Sequence, residues 1–193
     1  DRRMSFRQLA RALYADMGRF PKELRDEISL EATRMYDPIF GTTSAASHLA
    51  MIEVDPDTYG VSILYYSVAD DCGRVINPLI VDEQLRGGIV QGIGATLYEH
   101  CQYDETGQML NATMADYLVP MASEMPDIGT AHVETPEAST ELGAKGVGEA
   151  GTIGAIAAVW LAVNDALRPL GARIGEQPFT PARVLKALAG ARD

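Results

Sequence analysis

The sequence predicts an α+β fold, mixed strands and hairpins with packed helices, and three observations carry that expectation. Residues 48–54 alternate, with Ala50, Ile52 and Val54 on one face, and residues 61–68 are β-branched and aromatic. The turn-forming run Asp55-Pro56-Asp57-Thr58-Tyr59-Gly60 joins them, so a hairpin is expected. Two apolar stretches with helical spacing follow, over 80–99 and from about Thr152 to Leu167. The second is entered through a glycine-dense loop, LGAKGVGEAG, and the stretch upstream of Gly146, HVETPEASTELGAK, is too polar to be a buried parallel strand. The literal G-x-G-x-x-G of Gly146–Gly151 therefore lacks the strand that a dinucleotide-binding unit requires.

Taken in order, Ser5-Phe6-Arg7-Gln8 reads as a capping box, and Phe6, Leu9, Ala10 and Leu13 form one face of a helix through about Tyr14. Residues 15–45 are irregular, and Leu30–Met35 is expected to be a strand or a covering segment. Asp70-Asp71-Cys72-Gly73-Arg74 reads as a solvated turn closing the second strand, and Asn77-Pro78 opens the next element. Ile80, Leu85, Ile89, Ile93 and Leu97 fall in rough helical register, yet Gly87, Gly88, Gly92 and Gly94 interrupt them. Each glycine costs on the order of 1 kcal/mol relative to alanine, so a return is required. Two remain open: close helix packing through Gly88-x-x-x-Gly92, or a groove in which backbone amides and Gln91 reach a ligand. A small hairpin is expected at 104–107 and a strand at 130–133. Thr180 and Pro181 start a last helix with Val184, Leu185 and Leu188 on its apolar side.

The 193 residues carry a net charge of −11 without a basic stripe, which excludes nucleic-acid backbones as partners. The longest apolar run, 153–163, is too short to cross a bilayer. The N-terminal stretch is basic and amphipathic and lacks the pattern of a secretory signal. A cytoplasmic location is expected. Cys72 and Cys101 are expected to be reduced, and His48, His100 and His132 are too scattered for a zinc site.

Glycines at 143, 146, 148, 151 and 154 are expected to adopt positive φ and bring the backbone close to a ligand. The following helix points its positive end at the same place, which suits an anion. Glu149 is the one carboxylate framed by these glycines. Two roles stay open for it, general base or a simple answer to the helix dipole.

The runs AKGVGEAGTIGA, DDCGRVINP, VDEQLRGGIVQGIGATLYE and YDETGQMLNATMADYLVP together closely resemble the molybdopterin-binding large subunits of the xanthine dehydrogenase and aldehyde oxidase family. The chain looks most like the bacterial branch that includes aerobic carbon monoxide dehydrogenases. The resemblance implies that residues 1–193 are the C-terminal part of the molybdopterin-binding domain, as a fragment or a split subunit. It implies that Glu149 is the catalytic glutamate, which takes a proton from a hydroxide on molybdenum, and that Gly148, Gln91, Gly87 and Gly88 bind cofactor. The implied cofactor is molybdopterin cytosine dinucleotide with molybdenum, held without protein metal ligands. The implied partners are the N-terminal remainder of the subunit, an iron–sulfur subunit with [2Fe-2S] clusters and a flavin subunit with FAD, compatible with a dimer of such heteromers. The implied reaction oxidises an aldehyde, an N-heterocycle or a similar small molecule with water as oxygen source. A non-catalytic scaffold subunit and a nicotinamide-dependent oxidoreductase are the alternatives.

Overall fold

The computed structural model describes residues 3–25, 27–37 and 41–191. The chain forms two compact units, 1–39 and 40–193. In the first, helix α1 (Phe6–Tyr14) begins with the expected reciprocal cap. The Ser5 N–H donates to Gln8 Oε1 at 2.8 Å and the Gln8 N–H to Ser5 Oγ at 3.3 Å. A short helix α2 (Lys22–Arg25) follows, with Arg25 Nε donating to the Phe20 carbonyl at 2.9 Å. Residues 30–35 form no strand. Polar groups there pair locally, Leu30 N–H with the Tyr14 hydroxyl and Ser29 Oγ with the Glu31 carbonyl, in place of a ladder.

The second unit is built on a hairpin of β1 (Ala45–Val54) and β2 (Val61–Asp71), with His48 opposite Val68 and Ala50 opposite Tyr66. Asp55 Oδ1 closes the turn by accepting the Asp57 and Thr58 N–H groups at 2.8 and 2.9 Å. A third strand, β3 (Ile128–His132), pairs parallel with β2, two residues ahead of the expected start, giving a mixed sheet of order β1-β2-β3. Helix α3 (Pro78–Leu97) is capped by Asn77, α4 runs Ala150–Leu167 and α5 Pro181–Gly190 behind its Thr180 cap. Residues 102–110 make the small hairpin as a single bridge, Tyr103 to Met109, around Gly107 at φ 85°.

Helices α3 and α4 pack on each other, and α4 also covers the inner face of β1. Leu85, Ile89 and Ile93 meet Ala155, Val159 and Val163 in one core with Tyr66, Val68 and Ile128. Glycine makes the contact close. A Cβ on Gly92 would lie 2.7 Å from the Ala155 Cβ and 2.8 Å from the Thr152 carbonyl oxygen. A Cβ on Gly88 would lie 3.0 Å from the Thr152 nitrogen, and one on Gly151 would collide with the Leu85 carbonyl. Of the two returns open for these glycines, Gly88 and Gly92 take the packing one.

Helix α4 is longer than its 153–163 apolar run, and Ala150–Leu170 has the length and mean hydropathy, 1.5, to cross a bilayer. Its residues Gly151, Ala155, Val159, Val163 and Leu167 recur every fourth position and are buried in the protein core, as in a core helix of a folded domain. Asn164 braces its far end, accepting the Ile174 N–H at 2.9 Å and donating to the Ile174 carbonyl at 3.2 Å. Phe179 stacks edge-on against Trp160 at 5.0 Å.

In the assembled protein, Gly151→Ala should lower stability by about 1–3 kcal/mol through overpacking. Gly87→Ala, on the exposed face with open space around the new methyl group, should be neutral or gain up to about 1 kcal/mol from helix propensity. Denaturant midpoints of the two variants measure this, and equal effects would contradict the packing assignment.

Candidate functional site

The glycine loop is fastened to the end of β2. Gly73 sits at φ +71°, and a Cβ there would collide with the Gly143 carbonyl, so glycine is required on both counts. The Arg74 N–H donates to the Gly143 carbonyl at 2.9 Å and the Lys145 N–H to the Cys72 carbonyl at 2.7 Å, an antiparallel bridge between strand end and loop. Asp71 locks it. Its Oδ1 accepts the Gly73 and Thr135 N–H groups at 2.9 and 3.1 Å, and its Oδ2 lies 3.3 Å from Lys145 Nζ. The two side chains are only 17% and 11% exposed. Asp70 is 1% exposed, with neither oxygen hydrogen-bonded among the described residues. The expected solvated turn is thus a buried fastening, because β2 continues through both aspartates and the loop closes over them. Hydrogen bonds from Thr135 and Gly73, then Lys145, hold the Asp71 carboxyl well below the usual carboxylate range. Burial pushes Asp70 the other way.

Beyond the fastening, the loop is held by side chains from other elements. Thr42 Oγ1 accepts the Gly146 N–H at 3.2 Å, and Gln84 Nε2 on α3 donates to the Gly148 carbonyl at 2.9 Å. Thr152 Oγ1 donates to Gln91 Oε1 at 3.4 Å, which places Gln91 beside the first turn of α4. Among the five loop glycines only Gly143 has positive φ, 73°, which corrects the expectation for the other four. Gly151 and Gly154 instead serve close packing, while Gly146 and Gly148 have nothing within 4 Å of an added Cβ.

Glu149 is the residue before α4, at φ −114° and ψ 0°, and its side chain makes no capping hydrogen bond. Its carbonyl accepts from Thr152 and Ile153 at 3.1 and 3.2 Å. The carboxylate is exposed and unpartnered among the described residues. It faces an open cleft of about 460 Å³ whose lining includes Thr42, Ser44, His48, Gly146 and Gly148. His48 reaches this cleft from β1. Its Nε2 lies 3.1 Å from the Ala150 carbonyl oxygen and its Nδ1 2.8 Å from the Tyr66 hydroxyl.

The structure therefore brings Gly148, Glu149 and, through Thr152, Gln91 into one region. Gly87 lies exposed on α3, and Gly88 is buried against α4. Gln84, Thr42, His48 and Tyr66 were not singled out from the sequence. A signal existed for two of them: Gln84 is two helical turns before Gln91, on the same face, and His48 occupies an inward position of the β1 alternation. No cluster of metal-ligating side chains exists among the described residues. What the loop offers is backbone: open glycines at 146 and 148, Gly148 and Glu149 amides without hydrogen-bond partners among the described residues, and a helix N-terminus. That donor set fits an anionic cofactor that carries its own metal ligands.

Residues 1–126 match the family model described as the molybdopterin cofactor-binding domain. The chain belongs to that family. It is 40% identical over 191 residues to the nicotine 6-hydroxylase large subunit of Paenarthrobacter nicotinovorans, covering 99% of this chain and 23% of that protein. It is 35% identical over 162 residues to the carbon monoxide dehydrogenase large chain of Hydrogenophaga pseudoflava, covering 84% of this chain and 20% of that one. The crystal structure of quinoline 2-oxidoreductase from Pseudomonas putida 86 superimposes with a TM-score of 0.80 at 40% identity, over 96% of this chain and 23% of that chain. The chain thus spans about a fifth to a quarter of the relatives it matches. It matches part of the large subunits of the molybdenum hydroxylase family, and its α+β fold is theirs.

Because its carboxyl pKa is depressed on folding, Asp71 stabilises the protein above its ordinary value, 3.8, and that contribution is lost as pH falls through the lower folded value. Asp71→Asn should therefore lower the thermal midpoint at neutral pH, and the gap to wild type should close as pH drops below about 4. The difference between the two proteins isolates Asp71, since buried Asp70 titrates with the opposite sign. A gap that stays constant down to pH 2 would rule the fastening out.

Proposed function

We propose that this chain supplies the general base and part of the molybdopterin cytosine dinucleotide site of a hydroxylase acting on an aldehyde, an N-heterocycle or a similar small molecule. The observation that carries the proposal is the Glu149 carboxylate, unpartnered at the head of α4 and facing a cleft walled by open glycines. A carboxylate that merely capped the helix would have turned back onto the first-turn amides; this one does not. When bound, the cofactor supplies the two-electron redox chemistry and the oxygen drawn from water. Glu149 accepts the proton released at that oxygen, and a base so held contributes about 10²–10⁴ in rate. The Gly148 and Glu149 amides face the anionic cofactor, with Gln91 beside them at the head of α4 and Gly87 on the open side of α3. Gly88 enters the same proposal from α3, where its missing side chain lets α4 come close.

Residues 1–193 are read as the C-terminal part of the molybdopterin-binding domain, completed by the N-terminal remainder of the subunit. Two facts support a covering partner. The chain matches 23% of a relative's length, and the outer face of the hairpin leaves Leu49, Met51, Leu64 and Tyr65 about half exposed. Iron–sulfur and flavin subunits, carrying [2Fe-2S] clusters and FAD, complete the proposed assembly, a reading supported by a relative named as a subunit of a dehydrogenase complex. Cys72 and Cys101 are free thiols, which suits a cytoplasmic location.

Metal analysis of the purified complex should find molybdenum near one per copy of this chain; an empty but well-folded complex would favour the scaffold reading. Glu149→Gln should keep molybdenum and leave KM little changed while lowering kcat by about 10²–10⁴. Turnover near wild type in that variant would remove the base assignment.

A further inference from the structure

Glu149 is poorly anchored by its own neighbourhood. Gly148 precedes it, Gly151 follows two residues later, and its carboxylate has no partner among the described residues. Its placement therefore depends on what holds the flanking peptides. On one side Gln84 grips the Gly148 carbonyl from α3 at 2.9 Å. On the other, the carbonyl of Ala150 is met by the imidazole of His48, 102 residues away in sequence.

The chemistry of that contact fixes the histidine's proton. A carbonyl oxygen only accepts, so Nε2 carries the hydrogen and donates to Ala150 at 3.1 Å. Nδ1 then presents a lone pair, and the Tyr66 hydroxyl donates to it at 2.8 Å. Tyr66 is fully buried on β2, edge-on to the imidazole at 6.0 Å, so the ring is located from behind. Helix α4 is shaped to receive it: a Cβ on Gly154 would collide with the imidazole carbons and with Nε2. Partial burial lowers the His48 pKa, which keeps the ring in the neutral form that this pattern uses.

We propose that His48 is a positioning residue for Glu149: oriented by Tyr66 and seated on Gly154, it holds the first turn of α4 and so aims the carboxylate beside it. The inference rests on Glu149 being the base. A helix carbonyl has two lone pairs and the backbone ladder uses one, so this second hydrogen bond adds a tether without breaking the first. Gly148, open on the loop side of Glu149, supplies no stiffness of its own, so the tether on the helix side carries the placement.

The test compares the holoenzyme with its His48→Leu, His48→Gln and Tyr66→Phe variants, each normalised to bound molybdenum, with quinoline, nicotine and carbon monoxide as reductants. His48→Leu should lower kcat about 10²-fold, the scale set by misplacing a reacting group by about 1 Å, with KM unchanged. His48→Gln, whose amide can still donate to Ala150, should recover most of that loss. A merely structural histidine would instead lower molybdenum content and leave turnover per molybdenum intact. In a Glu149→Gln background His48→Leu should add no further loss, because it acts through that residue. Should His48→Leu fail to assemble, Tyr66→Phe keeps the ring and frees only Nδ1, and a several-fold fall in kcat is expected. Crystals of His48→Leu or Tyr66→Phe holoenzyme give a readout independent of substrate, a displacement of Glu149 beyond about 0.5 Å, the tolerance of a working site. Wild-type turnover per molybdenum in His48→Leu, or an unmoved Glu149 in those crystals, overturns this inference alone. Wild-type turnover in Glu149→Gln overturns the base reading beneath it.

Discussion

The close approach of α3 and α4 is the constraint on which the site depends. Gly88, Gly92 and Gly151 leave no room for a Cβ between the helices, and the core residues Leu85, Ile89, Ala155 and Val159 close around that contact. Because the helices meet at the head of α4, Gln84 can reach the Gly148 carbonyl and Gln91 can reach Thr152. A wider separation would carry both glutamines away from the loop. The helix-propensity cost of these glycines, about 1 kcal/mol each, is offset by packing that also assembles the functional region.

The loop itself is held at its base by charge and at its tip by neutral hydrogen bonds. At the base, Asp71 gathers two amides and Lys145 in a largely buried position, where such contacts are stronger than at a solvated surface. At the tip, Thr42, Gln84 and His48 each take one backbone group. This division leaves the Glu149 carboxylate exposed at the cleft, with no cation paired to it among the described residues. Gly146 and Gly148 leave the same side of the loop clear for a bound group.

Family membership and local geometry support each other without overlapping completely. The family model matches residues 1–126, whereas the Glu149 loop lies beyond it, within the 191-residue similarity to the nicotine hydroxylase subunit. The outer hairpin face leaves apolar residues open, and the chain spans about a quarter of the length of the nicotine hydroxylase subunit it matches. The inner face of the same hairpin is already used, by α4 and by the imidazole laid on Gly154.

Periodicity, turn residues and helix caps located the hairpin, both long helices and the two end helices, because each rests on contacts a few residues apart. The glycines on either side of Glu149 marked the place of the candidate site for the same reason. What tertiary structure decided lies in pairings across long separations. Asp70 and Asp71 read as a wet turn until the loop 70 residues later closes over them, and the glycines of α3 stayed ambiguous until α4 was laid against them. His48 offered only its inward place in the β1 alternation, since its meaning comes from Ala150, Tyr66 and Gly154, three positions that only folding brings to one ring. Local pattern specifies which way a chain bends and which side it hides; the partner met on the hidden side depends on the whole chain's path.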